Sequence, residues 1–332
     1  MMRIAVDAMG GDHAPNQIVL GALQAAAAMR SEIILVGDPA RIQEHMPPKP
    51  PKNIKIHPAS QVIEMEEKPL EALRKKKDSS MAVAIDLVKR GEAEAVFSAG
   101  NTGACTAGCL LSWRQIEGVE RPAIASQMPS MHGGFLMLDA GASPDIDPKN
   151  LIEFAMMGRA YANRVMGRKN PKVHLMNIGE EPGKGNAFSK AAYELLKEYP
   201  WFAGNIEGKD VFLEPVDVVV MDAFVGNIVL KTCEGAAEFF MRIVKDRVPT
   251  NPLARLPYLP LKTLLTPLKK MSDYAEVGGS PLLGLNGICI IGHGRSNAKA
   301  AKNAVLLANR AVESRLLDSM RKELSMVVSS AK

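Results

Sequence analysis

One repeated unit limits what this chain can fold into: a short apolar run, a turn containing glycine or polar residues, then a segment with helical spacing. Residues 3–8 open the series and end at Met9-Gly10-Gly11-Asp12, after which Pro15 suits the first turn of a helix reaching about Met29. Further apolar runs lie at 32–37 and 54–59, separated by Pro47, Pro48, Pro50 and Pro51. A helix is expected over 81–89, a strand over 95–98 and a helix over 103–113. The unit recurs as strand 135–139 with helix 151–165, strand 173–177 with helix 187–198, strand 216–222 with helix 227–245, and strand 287–292 with helix 297–317. Runs this apolar leave neither face to water. They predict an α/β protein with a doubly wound, mostly parallel sheet covered by helices on both faces.

The 332 residues, 47% of them hydrophobic, are enough for a single large α/β unit spanning 1–332, and with only 5% aromatics its interior should be aliphatic. The turns at Gly10, Gly100, Gly179, Asp222 and Gly292 each fall where a strand ends and a helix begins. In a parallel sheet that edge binds ligands, and five such turns on one edge exceed what connectivity needs.

Several function classes are disfavoured. The 41 basic and 36 acidic residues nearly balance, and the paucity of rings argues against a nucleic-acid reader. No run of about 18 apolar residues suggests a membrane-spanning helix. The first residues lack a signal-peptide pattern, so a cytoplasmic location is expected. Cys105, Cys109, Cys233 and Cys289 show no C-x-x-C or zinc spacing, and free thiols are expected. Asp7, Asp12 and His13 raise the thought of a metal, but no compact carboxylate or histidine cluster supports it. Hydrogen-bonding and turn-building roles near the substrate suit Asp7 and His13 better, and no metal or cofactor is expected.

Ser98-Ala99-Gly100-Asn101-Thr102-Gly103 follows a strand and opens a helix. Asn101 or Thr102 can cap the helix, while Gly100 and Gly103 let backbone N–H groups approach an anion; a plain capped turn is the alternative. In 177–186 the spacing is not that of a Walker loop, because three residues separate Gly179 from Gly183-Lys184 and Gly185 stands where Ser or Thr is required. Lys184 can still meet a phosphate as a point charge or point into solvent. Asp222 ends a strand, Asn227 starts a helix and Lys231 follows one turn on. His293 lies between two glycines at a strand end, in a catalytic or a structural role. Arg74, Lys75, Lys76 and Lys77 form either a solvated helix face or a landing strip for an acidic partner.

The stretch 248–271 breaks the rhythm with five prolines, many leucines, four basic residues and no acidic one. Leu261, Leu264, Leu265 and Leu268 recur at helical spacing beside Lys262, Lys269 and Lys270. A protruding amphipathic insertion is expected, meeting a membrane surface or a partner subunit.

Together these motifs resemble the phosphate acyltransferase (PlsX) family of bacterial phospholipid synthesis. The match runs from DAMGGD at 7–12 and KKDSS at 76–80 through FSAGNTGA at 97–104, NIGEE at 177–181 and GNIEG at 204–208 to FVGN at 224–227, PLLGLNG at 281–287 and His293-Gly294. Ala223, Ser143 and Ser280 depart from the usual Gly, Asn and Ala, a matter of local turns. The resemblance implies a fold similar to the isocitrate and isopropylmalate dehydrogenases, shared with phosphotransacetylases. It also implies a homodimer peripheral to the inner face of the cell membrane, with acyl carrier protein and inorganic phosphate as substrates. The acyl phosphate would pass to a membrane acyltransferase acting on glycerol 3-phosphate.

For such a reaction Lys184 and the backbone around 100–103 would hold phosphate. Asn227 or His293 would donate to the oxyanion, with Lys231 assisting. Covalent catalysis through Cys105 or Cys109 is the alternative. Two rival functions are a metal- and NAD-dependent dehydrogenase, which would need an aspartate cluster, and a noncatalytic membrane scaffold, which would need no polar turns.

Overall fold

The computed structural model describes residues 1–247 and 274–330. The expected insertion at 248–271, with Leu261, Leu264, Leu265 and Leu268, lies outside the described residues. The strands are β1 (Arg3–Asp7), β2 (Glu32–Gly37), β3 (Ile54–Pro58), β4 (Ala95–Ser98), β5 (Ala123–Ile124), β6 (Ser126–Met128), β7 (Phe135–Leu138), β8 (Val173–Asn177), β9 (Phe202–Glu207), β10 (Val218–Val220), β11 (Ser280–Leu283) and β12 (Ile288–Ile291). The helices are α1 (Asn16–Ala26), α2 (Pro39–Gln43), α3 (Pro69–Lys75), α4 (Ser80–Lys89), α5 (Thr102–Trp113), α6 (Asn150–Arg164), α7 (Ala187–Leu196), α8 (Ala223–Arg247), α9 (Tyr274–Val277), α10 (Ala298–Glu313) and α11 (Leu316–Ser330).

The strands form two sheets, a correction to the single edge expected from the repeat. The first has seven strands in the order β3-β2-β1-β4-β12-β11-β5, and the second has five in the order β6-β7-β10-β8-β9. Pairing is parallel except where β11 meets β12 and β5, and where β6 meets β7. Apolar periodicity reports that a strand is buried on both faces but not which strand it pairs with, so the division was hidden.

In the first sheet the chain runs outward from β1 through β2 to β3 and then returns to the other side of β1 as β4. The crevice between the ends of β1 and β4 is therefore a topological switch point. The second sheet has its own switch point between β8 and β10, because β9 lies outside β8 and β10 inserts between β8 and β7.

Ile4, Ala5 and Val6 of β1 and Val218, Val219 and Val220 of β10 are fully buried. Burial of each valine or isoleucine side chain stabilises by roughly 1.5–3 kcal/mol. Two apolar clusters fill the interior. One joins Ile4, Phe97 and Ile290 of the first sheet to Leu136, Leu138 and Val218 of the second; the other joins Val96 and Cys289 to Met137 and Val219. The helix expected over 297–317 is two helices, because Arg315 adopts a left-handed backbone (φ 54°) between α10 and α11. No helix among the described residues is long and apolar enough to cross a membrane.

Candidate active site

Three of the glycine turns meet at the β1/β4 switch point and interlock. Asp12 N–H donates to the Gly294 carbonyl at 2.8 Å, joining the turn after β1 to the turn after β12. A Cβ on Gly10 would lie 2.8 Å from Gly100 N and 2.4 Å from the Asp7 carboxylate, so only glycine lets these turns approach so closely. Gly11, at φ 104°, faces the carbonyls of Gly294 and Ala99.

Asn101 fixes the start of α5. Its Oδ1 accepts from Ala104 N–H at 2.9 Å as the N-cap, while Nδ2 donates to the carbonyls of Met65 (2.8 Å) and Glu67 (3.0 Å). Asn101 is thus spent on structure and is buried. The N–H of Gly100 is also occupied, by Ser98 Oγ at 3.1 Å. Thr102 and Gly103 are exposed, and their backbone N–H groups have no acceptor among the described residues. Of the residues 100–103, these two offer donors to an anion, at the positive end of a twelve-residue helix.

Asp7, expected near substrate, lies beneath the turns at 1% exposure. It accepts from Ser98 Oγ at 2.7 Å and from Met9 N–H at 3.3 Å. Burial pushes its carboxyl above the ordinary carboxylate value, against the pull of the Ser80 and Ser98 hydroxyls. The chain Asp7–Ser98–Gly100 braces the turn from inside. Ser98 opens the motif at 98–103 but carried no role in the sequence reading, because a hydroxyl at a strand end gives no distinguishing signal. His13 is exposed and its carbonyl accepts from Gln17 N–H, the first bond into α1. His293 is exposed, and its Nδ1 lies 3.1 Å from the Arg295 N–H.

Lys184, Asp222, Asn227 and Lys231 belong to the second sheet. Lys184 sits between β8 and α7, its carbonyl accepting from Asn177 Nδ2 at 3.2 Å. Gly185 (φ 93°) turns the chain there, where a Cβ would strike Ser189 and Asn177. The Lys184 ammonium is half exposed, 3.9 Å from Glu181. Asp222 caps α8 by accepting from Val225 N–H at 2.8 Å. Asn227 is exposed on the first turn of α8, and Lys231 pairs with Glu234 at 2.8 Å. The structure thus brings Gly100, Asn101, Thr102, Gly103, His293 and Asp7 together at one switch point and Lys184, Asp222 and Asn227 at the other.

Asp139, at the end of β7, was not singled out from sequence. Its buried carboxylate accepts four backbone N–H groups, from Ile124, Gly141, Ala142 and Ser143, at 2.8–3.0 Å. Burial nonetheless pushes its pKa up. It holds the second edge against β5.

The basic run divides. Lys76 turns inward, donating to Val62 O at 2.7 Å and pairing with Glu67. Arg74, Lys75 and Lys77 are exposed. They flank the turn before α5, because Pro69 at the start of α3 packs so closely on Gly103 that a Cβ there would lie 2.7 Å from the Pro69 ring. Cys105 and Cys109 are fully buried, which removes them as nucleophiles toward a thioester.

Two mostly parallel sheets with glycine turns at paired switch points define a doubly wound α/β fold. The fold is similar to that of a phosphotransacetylase from Streptococcus pyogenes, with 17% identity, a TM-score of 0.62 and 94% of each chain covered. It is also similar to 4-hydroxythreonine-4-phosphate dehydrogenase from Klebsiella pneumoniae, with 14% identity and a TM-score of 0.53 over 93% of this chain and 98% of that one. At such identities the likeness is one of fold.

In sequence, residues 2–318 match the model of the family described as "Fatty acid synthesis protein". The phosphate acyltransferase of Desulfitobacterium hafniense strain Y51 is 50% identical over 327 residues, covering 98% of both chains. The chain belongs to this family, as the motifs in its sequence indicated.

Proposed function

We propose that this chain is an acyltransferase that moves a fatty acyl group from the thioester of an acyl carrier protein onto inorganic phosphate, giving an acyl phosphate for phospholipid synthesis. The observation that carries the reading is the interlocked turn at the β1/β4 switch point, with the N–H groups of Thr102 and Gly103 facing solvent at a helix start, in a chain of this family. A phosphate oxygen attacks the thioester carbon, the C–S bond breaks, and the carrier leaves as its thiolate. Phosphate is already a nucleophile, so the protein need only hold two anionic partners and stabilise the tetrahedral oxyanion.

In this reading the two switch points face one substrate: Thr102 and Gly103 from the first and Lys184 from the second hold phosphate, Asn227 or His293 donates to the oxyanion, and Lys231 adds positive charge. Asp7 acts through Ser98, keeping the turn in place without touching substrate. The exposed Arg74, Lys75 and Lys77 receive the acidic carrier protein beside the anion turn. The whole chain, 1–332, acts as one α/β unit. Exposed Phe239, Phe240 and Ile243 on α8 support pairing of two copies. Residues 248–271 would then meet the inner membrane face, near an acyltransferase that consumes the acyl phosphate.

The test is phosphate-dependent release of free carrier protein from palmitoyl carrier protein by the purified chain, without added metal or nucleotide, with acyl phosphate trapped by hydroxylamine. Release with hydroxamate formation is expected. No release beside an active control enzyme would overturn the reading and favour the scaffold.

A further inference from the structure

Three of the four cysteines converge on one point. Cys105 and Cys109 lie one turn apart on α5, and Cys289 lies on β12, 184 residues from Cys105, with its sulfur 3.6 Å from Cys105 Sγ. All three Sγ atoms lie within 4.8 Å of one another. Cys233 is separate, half-buried on α8. A buried cysteine is often just a small apolar residue. Convergence of three sulfurs from two elements is a different arrangement, and the reaction makes no use of it.

We propose that Cys105, Cys109 and Cys289 form a site for one soft monovalent d10 cation, Cu(I) among those available to cells. Three sulfurs around one ion at bonds of about 2.3 Å stand about 4.0 Å apart, which lies between the 3.6 Å Cys105–Cys289 contact and the 4.8 Å limit within which all three fall. The ligand set selects the ion. Thiolate sulfur without nitrogen or oxygen prefers soft cations, and Zn(II) prefers a fourth ligand. Among the described residues the group within this span holds only the three sulfurs, while the buried Asp7 carboxylate interacts electrostatically with Cys105 from outside it. Each thiol that becomes a thiolate ligand gives its proton to solvent, so binding weakens as pH falls.

The sulfurs are fully buried, two residues beyond exposed Gly103 at the nearest, so an ion reaches them only through rare local opening of the anchored helix start, and slow loading is expected. Because Cys289 precedes His293 by four residues, the ion would tie the start of α5 to the strand that leads into the turn of this histidine.

The experiment titrates the reduced full chain anaerobically with Cu(I) against bathocuproine disulfonate, a chromophoric chelator. One Cu(I) per chain should resist the chelator in wild type and in Cys233→Ser, and affinity should fall at least tenfold in Cys105→Ser and Cys289→Ser. Removal of all Cu(I) by the chelator, or an equal loss in Cys233→Ser, would overturn the proposal. Should the core variants fail to fold, X-ray absorption at the copper edge of the wild-type complex decides. Three sulfur neighbours are expected, and any nitrogen or oxygen neighbour counts against the site.

Discussion

Replacing Asn101 by alanine tests whether the start of α5 is held as described. The side chain makes one capping bond to Ala104 N–H and two good bonds to the carbonyls of Met65 and Glu67. Loss of an N-cap costs about 1 kcal/mol, and each hydrogen bond lost from a buried side chain about another 1 kcal/mol. Asn101→Ala should therefore destabilise by about 3 kcal/mol, a factor of roughly 100 in the folding equilibrium. Asn101→Asp keeps the capping oxygen but loses both donors, so it should cost about 2 kcal/mol. Urea unfolding curves read both values as shifts of the midpoint at unchanged slope. The same change loosens the turn that presents Thr102 and Gly103, so the phosphate KM should rise in both variants. An Asn101→Ala chain within about 0.5 kcal/mol of wild type would refute the reasoning, because a capping loss alone exceeds that.

Three further outcomes are expected. Burial raises the pKa of Asp7 above its ordinary 3.8, so the folded chain binds that proton more tightly than the unfolded chain. Its contribution to stability is full below the ordinary value and is lost as pH rises through the raised one. Asp7→Asn should therefore gain on wild type as pH rises across that window, and parallel stability profiles would contradict it. A Cβ on Gly226 would lie 1.8 Å from the Asp139 carbonyl oxygen, so Gly226→Ala should displace the start of α8 and cost about 3 kcal/mol; an unchanged Tm would count against the packing described. The double variant Arg74→Glu with Lys77→Glu should raise the KM for acyl carrier protein about tenfold at low salt, with the gap closing at high salt. A salt-independent effect would remove these residues from carrier docking.

Much of this was written in the order of residues. Buried strands announce themselves as short apolar runs, and the ends of β4, β7, β8 and β12 fall within a residue of where the runs stop. Strands of two or three residues such as β5 and β6 carry too little pattern to read, and β9 alternates too weakly. The glycine turns were legible because close backbone approach demands glycine. Their ligand capacity was not, because whether a given N–H is open depends on distant neighbours. Gly100 N–H is taken by Ser98, and Asn101 is occupied by the loop at 64–67, which only folding brings there. The sulfur cluster was equally hidden, since spacing along the chain cannot relate position 105 to position 289.

The first of the two hand-overs between the sheets, from β5 to β6, occupies a single residue. Ala123 and Ile124 belong to the first sheet, Ser126 and Met128 to the second, and fully buried Ala125 between them donates to the Pro281 carbonyl at 2.9 Å. Ile124 also donates to Asp139 Oδ1 and accepts from Ala140 N–H. At this crossing the two sheets are thus joined by a buried, hydrogen-bonded crosspiece with no loop in it. If the two switch points serve one substrate, as proposed, a chain lengthened by one residue at 125 should keep each turn intact yet shift one sheet against the other.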